Sequence, residues 1–314
     1  MATHARPPAF TGDFGVFAMD GRGVRHETGY SEGVLRELWR KYEPSMPLDP
    51  IYSPDRRAAY FYLCFVYIHM APSPSHSTLL NTPHTGPISE RTFYRRIAPR
   101  LIALAGVIDE VHWEDRHDPC NHVPWFNFYC VGAVDTFPVV ISQPTDSRQA
   151  RRFYQPKYGS CVLKVQIIID LNGLIIYASF PHQGITGDAK IWRRYRPHFI
   201  GLEYVLADGA YGSCAHTMVP HRMNRAGGMG AAEQLVNSLI QLYRARVEHI
   251  IGVVTAHAFF RTPARTGLDL IEACITISVH ATAMQLRERH TMVFRYPDTV
   301  RGPWPHDAPD ILGW

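Results

Sequence analysis

The run Tyr129-Cys-Val-Gly-Ala-Val-Asp-Thr-Phe-Pro-Val-Val-Ile141 constrains this chain most. It is rich in valine, isoleucine and aromatic residues and long enough to cross a sheet, so it reads as a buried strand. One charge, Asp135, stands in its middle. A carboxylate rarely occupies a core strand unless it is paired or bound to a metal. Two later acids answer it: Asp208 in Tyr204-Val-Leu-Ala-Asp-Gly-Ala-Tyr-Gly212, and Glu248 in Arg244-Ala-Arg-Val-Glu-His-Ile-Ile-Gly252. The expectation is that these three carboxylates meet and hold divalent cations.

The chain has 314 residues and is 46% hydrophobic, enough for a sizeable core in one large or two medium domains. Met1 to Asp13 is polar and proline-bearing, unlike a signal peptide, and no apolar run approaches a membrane span. Six cysteines are scattered without a CxxC pair, which fits a reducing, intracellular compartment. A formal charge of +4 permits a nucleic-acid partner without requiring one.

In order, residues 1–30 read as an irregular arm and 31–122 as a helical region. Ser31 is a candidate N-cap, with Val34, Leu35, Leu38, Trp39 and Tyr42 on one face. Residues 55–70 form a helix apolar nearly all round. Within 86–104 a short helix capped by Ser89 carries Arg91, Arg95 and Arg96. It reads either as the recognition helix of a helix-turn-helix or as a solvated basic face. His112, Asp115, His117, Asp118, Cys120 and His122 then crowd one loop, which would be either a zinc site or a loop held by hydrogen bonds.

The strand carrying Asp135 opens the next region, 123–290. After a polar segment, Ser142 to Tyr158, Cys161–Asp170 and Leu174–Phe180 read as a hairpin around Leu171-Asn-Gly173, with Asp170 a turn residue. Asp188 begins a helix, where the macrodipole favours a negative charge. Residues 203–207 form a short strand that delivers Asp208 at its end, where α/β sheets place their sites; Gly209 and Gly212 allow a tight turn there. Met218-Val-Pro220 reads as a fifth strand. A long helix over 232–254 carries an apolar stripe (Val236, Ile240, Tyr243, Val247, Ile251, Val254) and a polar one (Asn237, Gln241, Arg244, Glu248). Arg244 and Glu248, four apart, make either a surface ion pair or part of the site. Residues 271–287 form a further helix and 291–314 an irregular tail.

Oxygen ligands suit hard cations such as Mg²⁺ or Mn²⁺. Two like charges about 4 Å apart repel by roughly 4 kcal/mol at an effective dielectric near 20, so clustered acids call for a cation or a proton.

Five stretches, in order, resemble the DDE superfamily endonucleases of the Harbinger transposase type. They are Gly132-Ala-Val-Asp-Thr-Phe-Pro138, Ile168 to Gly173, Gly184-Ile-Thr-Gly-Asp-Ala-Lys-Ile-Trp192, Leu206-Ala-Asp-Gly-Ala-Tyr-Gly212, and Asn237 with Arg244-Ala-Arg-Val-Glu-His-Ile-Ile-Gly252. The resemblance implies an RNase H-like mixed sheet flanked by helices, with a helix-turn-helix upstream. It implies Asp135, Asp208 and Glu248 as a metal-binding catalytic triad, with Asp188, Asn237 and Arg244 in support. It further implies DNA as partner, a nuclear location, and cleavage of phosphodiester bonds with two metal ions. Self-association and a separate DNA-binding accessory protein are compatible with it. The chain departs from the family pattern at Thr136 (often Gly), at Gly187 (His in the family) and at Val253-Val-Thr-Ala-His257 (basic in the family). The competing expectation is a domesticated, catalytically inactive DNA-binding or scaffold protein on the same fold.

Overall fold

The computed structural model describes residues 24–46, 54–70, 89–117, 129–222, 228–261, 263–264 and 266–293. The sheet is built on β1 (Cys130–Val140). β3 (Ser160–Ile169) runs antiparallel beside it, with Asp135 opposite Ile167 and Thr136 opposite Gln166. β2 (Tyr154–Gln155), β4 (Ile175–Ala178) and β5 (His182–Gln183) all pair antiparallel with β3. On the other side of β1, β6 (Tyr204–Leu206) and then β7 (Thr217–Met218) run parallel to it. The result is a mixed sheet in the order β2-β3-β1-β6-β7. Its shape follows from the turns. Asn172-Gly173, with Gly173 at φ 98°, lets β3 fold straight back into β4. β5, antiparallel to β3, runs the same way as β6, and this parallel return needs a longer crossover, which contains α7 (Asp188–Tyr195).

Side chains alternate across the sheet. Past the bulge at Cys130–Gly132, Ala133, Phe137 and Val139 of β1 and Leu163, Val165, Ile167 and Ile169 of β3 share one face and the main core. That core includes Ile240, Tyr243, Val247, Ile250 and Val254 of α8 (Ala231–Val254). The other face carries a smaller cluster of Val134, Ile168 and Val205 with Trp192 of α7, Phe199 and Tyr211.

The helical region shares the main core. Helices α2 (Glu32–Tyr42), α3 (Pro54–Met70) and α5 (Ala98–Ala105) join the sheet face and α10 (Leu268–Val293) in one buried cluster from Val24 to Leu286. The described parts of the helical region and of the sheet region therefore share a common core, and the boundary placed at 122/123 lies outside the described residues. Ser31 caps α2 by accepting from the Val34 N–H (3.2 Å), and the five apolar residues expected on its inner face are all buried. α3 is buried all round from Ala58 to Ile68, as its lack of a polar face implies. The end of the irregular arm differs from expectation: Val24–Thr28 is a short helix, α1, and Tyr30 is fully buried. A short anchor of this kind, five helical residues and one tyrosine, carries little periodic signal.

The stretch after Ser89 is a helical run in three pieces: α4 (Glu90–Thr92), a π-helical turn (Phe93–Ile97) and α5. Pro99, which has no N–H to give the turn before it, follows the widened segment. Phe93 and Ile97 are buried while Arg91 and Arg95 are exposed and Arg96 is half-buried. Residues 86–88, the start of the candidate helix-turn-helix, lie outside the described residues. The polar segment 142–158 contains an unforeseen helix, α6 (Ser147–Phe153), capped by Asp146. The helix expected over 271–287 is α10, longer at both ends, and the tail from 294 lies outside the described residues. No helix among the described residues is long and apolar enough to cross a membrane.

Asp170 is the turn residue it was expected to be, with an added consequence. Its Oδ1 accepts from the Asn172 and Leu174 N–H groups (2.9 and 2.7 Å), while Oδ2 is buried with no partner among the described residues. Burial outweighs those donors and, with Asp115 nearby, pushes the carboxyl up to about 6. A carboxyl raised in the fold contributes stability below the unfolded range, and loses it as pH rises through 6. Asp170→Asn keeps the acceptor and removes the titration. Between pH 5 and 8 the wild type is expected to lose about 1–2 kcal/mol that the variant keeps. Burial holds His257 down at about 3 and His280 at about 4, which slopes the other way. The check is therefore the difference between two urea-unfolding series, and parallel curves would refute the assignment.

Candidate active site

The alternation that builds the core also aims Asp135. Phe137 and Ala133 point to the face covered by α8, so Asp135 between them does too. The parallel pairing of β1 with β6 ends at Ala133 opposite Leu206. Asp208 follows two residues after that last pair, as Asp135 follows Ala133, and its charge is felt at Asp135. Asp208 is extended (φ −79°, ψ 173°) and caps a 3-10 turn, Gly209–Tyr211, by accepting from the Ala210 N–H (2.9 Å). From below, α8 packs on β1, and Glu248 follows the buried Val247.

The electrostatics register the approach. Asp135 is half-buried, and its carboxyl is pushed above the ordinary range, first by burial and then by the negative charges of Asp208 and Glu248. The Thr136 N–H, which donates to Asp135 Oδ1 (2.7 Å), and the Arg244 guanidinium pull it back. Arg244 also stands 3.4 Å from Glu248, so one guanidinium serves two carboxylates. Its Nε is buried without a partner among the described residues. The Arg244–Glu248 pair expected from spacing is thus formed, and it also borders the site. Glu248 itself is largely exposed.

The three carboxylates supply only hard oxygen donors, the set that suits Mg²⁺ or Mn²⁺. Among the described residues, however, no three His, Cys, Asp or Glu side chains stand close enough together to hold one ion. The chemistry of the donors fits a divalent cation. The spacing, with Glu248 turned toward Arg244, does not close a cage.

The supporting residues divide. Arg244 lies at the site. Asp188 does not: it begins α7 and pairs with Lys164 Nζ (3.1 Å), a buried cation that also donates to Thr186 O (3.1 Å). Lys164 and Gln166 point away from Asp135, to the opposite face of the sheet. Asn237 clamps a loop instead, accepting from the His221 N–H (2.8 Å) and donating to His221 O (3.0 Å). The zinc alternative weakens. Asp115 is bound by Arg287 (2.6 Å), and Asp118, Cys120 and His122 lie outside the described residues. The tight turn after Asp208 does not need its glycines either, since neither Gly209 nor Gly212 adopts a positive φ.

One group was missed. Gln166, wholly buried, donates through Nε2 to Tyr211 Oη (2.8 Å) and Thr136 Oγ1 (3.3 Å), and those two hydroxyls are 3.0 Å apart. This network ties β3, β1 and the turn begun by Asp208 from the sheet's far face, so it bears on the spacing of the two aspartates. It also accounts for Thr136, where glycine would donate nothing. A glutamine inside the run Cys161-Val-Leu-Lys-Val-Gln-Ile was the available signal, of the same kind as Asp135.

A family model described as DDE superfamily endonuclease matches residues 134–283. The span begins one residue before Asp135 and takes in Asp208 and Glu248. No curated protein and no solved structure matches the chain.

Proposed function

We propose that this protein is a DDE superfamily endonuclease of the Harbinger transposase type, which cuts DNA phosphodiester bonds with divalent metal ions. The observation that carries the reading is Asp135: a carboxylate in the middle of a core strand, its proton held more tightly by burial, with the negative charges of Asp208 and Glu248 near enough to add to the effect. The matched family model and the order of the five motifs support it. The sheet order, with β1 antiparallel to β3 and parallel to β6, supports an RNase H-like fold.

In this reading Asp135 and Asp208 would hold the metal, and Glu248, here paired with Arg244, would complete the set. When bound, Mg²⁺ or Mn²⁺ would activate the attacking oxygen and stabilise the leaving one. The chain's own residues do the rest. The Thr136 N–H fixes one Asp135 oxygen, and the Gln166–Thr136–Tyr211 network holds the strand and the Asp208 turn in step. Arg244 offsets the anionic cluster. The exposed arginines at 91 and 95, with Arg96, are candidate DNA contacts, and the family resemblance is the basis for a nuclear location.

The second reading is a DNA-binding or scaffold protein that has lost cleavage. It is favoured by Glu248 being drawn to Arg244 and by the neutral run Val253-Val-Thr-Ala256 after the closing glycine.

Cleavage of supercoiled plasmid by the purified chain separates the two. Nicking with Mg²⁺ or Mn²⁺ that EDTA abolishes is the expected result. Binding in a gel shift without nicking under either metal would support the scaffold reading.

A further inference from the structure

We propose that α6 and the segment after it form a second DNA contact, a shelf that carries the phosphate backbone beside the cleavage site. This inference rests on the DNA-cleaving reading above.

Arg148, Arg151, Arg152 and Lys157 lie within ten residues, and all four are exposed. Elsewhere Arg36, Arg40, Arg57, Arg116, Arg244 and Arg287 each face a carboxylate. Among the described residues, none of these four cations does. The one acid in the stretch, Asp146, is spent on capping α6, where it accepts from the N–H groups of Arg148 and Gln149 (2.8 Å each). Unpaired cations concentrated on one surface repel each other and attract a polyanion. Two exposed tyrosines, Tyr154 and Tyr158, interleave with them, and Lys157 lies over the Tyr158 ring (5.4 Å). Basic side chains alternating with open aromatic rings suit nucleic acid.

The shelf is rigid and correctly placed. Phe153 enters the main core, Cys161 Sγ lies 3.6 Å from Ala150 O, and the Ile185 N–H donates to Arg152 O (3.1 Å). A Cβ on Gly184 would stand 2.2 Å from Phe153 O, so the residue that follows β5 is seated directly against the end of α6. Phe153 and Cys161 lie on the face of the sheet that carries Asp135. Ile141 bonds Cys161, which pairs with Tyr154, so the shelf begins six strand residues beyond Asp135. That is about 20 Å, less than one turn of duplex at about 34 Å. A duplex entering the site would pass over it.

A rival basic cluster decides the control. Arg193, Arg194 and Arg196 line a cleft of about 430 Å³ with His198 and His216. It lies beyond Trp192, on the opposite face from Asp135. Removing its charges alters net charge equally without touching the shelf.

The test measures binding of a fluorescent DNA duplex to the full chain by anisotropy, between about 50 and 200 mM salt. Wild type is compared with Arg148→Gln/Arg151→Gln/Arg152→Gln and with Arg193→Gln/Arg194→Gln/Arg196→Gln. Circular dichroism and melting confirm that each variant folds. The expected result is an affinity loss of about tenfold or more in the first variant, with the slope of log K against log salt reduced by about 3. The second variant is expected to change less than about twofold. Equal losses in both would reduce the effect to net charge and overturn the shelf, as would an unchanged first variant. Wild type that fails to bind DNA would overturn the DNA reading itself, a result separate from the failure of the shelf.

Discussion

Asp135→Asn is expected to lower metal-dependent nicking by about a thousandfold, the scale of losing several kcal/mol of transition-state stabilisation by a metal. The same change is expected to leave the metal-free fold as stable or more so. In the fold the carboxyl sits above its ordinary range because burial, Asp208 and Glu248 disfavour the anion more than Thr136 and Arg244 favour it. An anion that the fold disfavours costs stability above the unfolded range, so at neutral pH its removal stabilises. Asparagine still offers an oxygen to the Thr136 N–H. The metal response supplies a readout independent of cleavage. Wild type should melt higher as Mn²⁺ is added, by the mass action of a ligand that binds only the native state, and the variant should not. A variant that nicks as fast as wild type, or that gains the same protection from Mn²⁺, would remove Asp135 from the site.

The second large effect concerns shape rather than charge. A Cβ on Gly132 would fall 2.0 Å from Ile169 O, 3.0 Å from its carbonyl carbon and 3.3 Å from Asp170 Cα. These are backbone atoms of the neighbouring strand, so no side chain can swing aside. Gly132→Ala must push β1 away from β3 three residues before Asp135. A cost of about 3 kcal/mol or more is expected, with a melting drop of about 10 °C. Gly209→Ala is the matched control, since its Cβ would meet nothing within 4 Å and its φ is not positive. If both variants melt together, the close approach of β1 and β3 at Gly132 is not what the structure describes.

These two residues show how unevenly the sequence speaks. Asp135 was legible because a lone charge in a run of valines contradicts the solvent preference of everything around it. Lys164 and Gln166 contradict their strand in the same way and were passed over, because β3 read as a hairpin arm and nothing later in the chain answered them. Gly132 gave no sign of its role: glycine is common, and the atom it avoids belongs to a residue thirty-seven positions away. The helical stripe of α8 was readable from its period, yet Ile250 proved the buried residue where Ile251 was expected. A helix rotates against its sheet by an amount that periodicity does not set.

The sequence by itself determined the elements that carry the three carboxylates, and their polarity. It placed β1 with its single charge, the Asn-Gly turn, the strand that ends at Asp208, and a long helix with one apolar and one polar stripe. These depend on local backbone preference and on which side chains leave water, and both are written within a few residues. Only the tertiary structure decided which faces meet. It brought Asp208 within electrostatic reach of Asp135 by running β6 parallel to β1, and turned Asp188 and Lys164 to the far face. It gave Asn237 to the His221 backbone and set Arg244 between Asp135 and Glu248. It also merged the N-terminal helices with the sheet in one core. Those outcomes depend on register, twist and packing between segments far apart in the chain, where a shift of one residue sends a side chain to the opposite face.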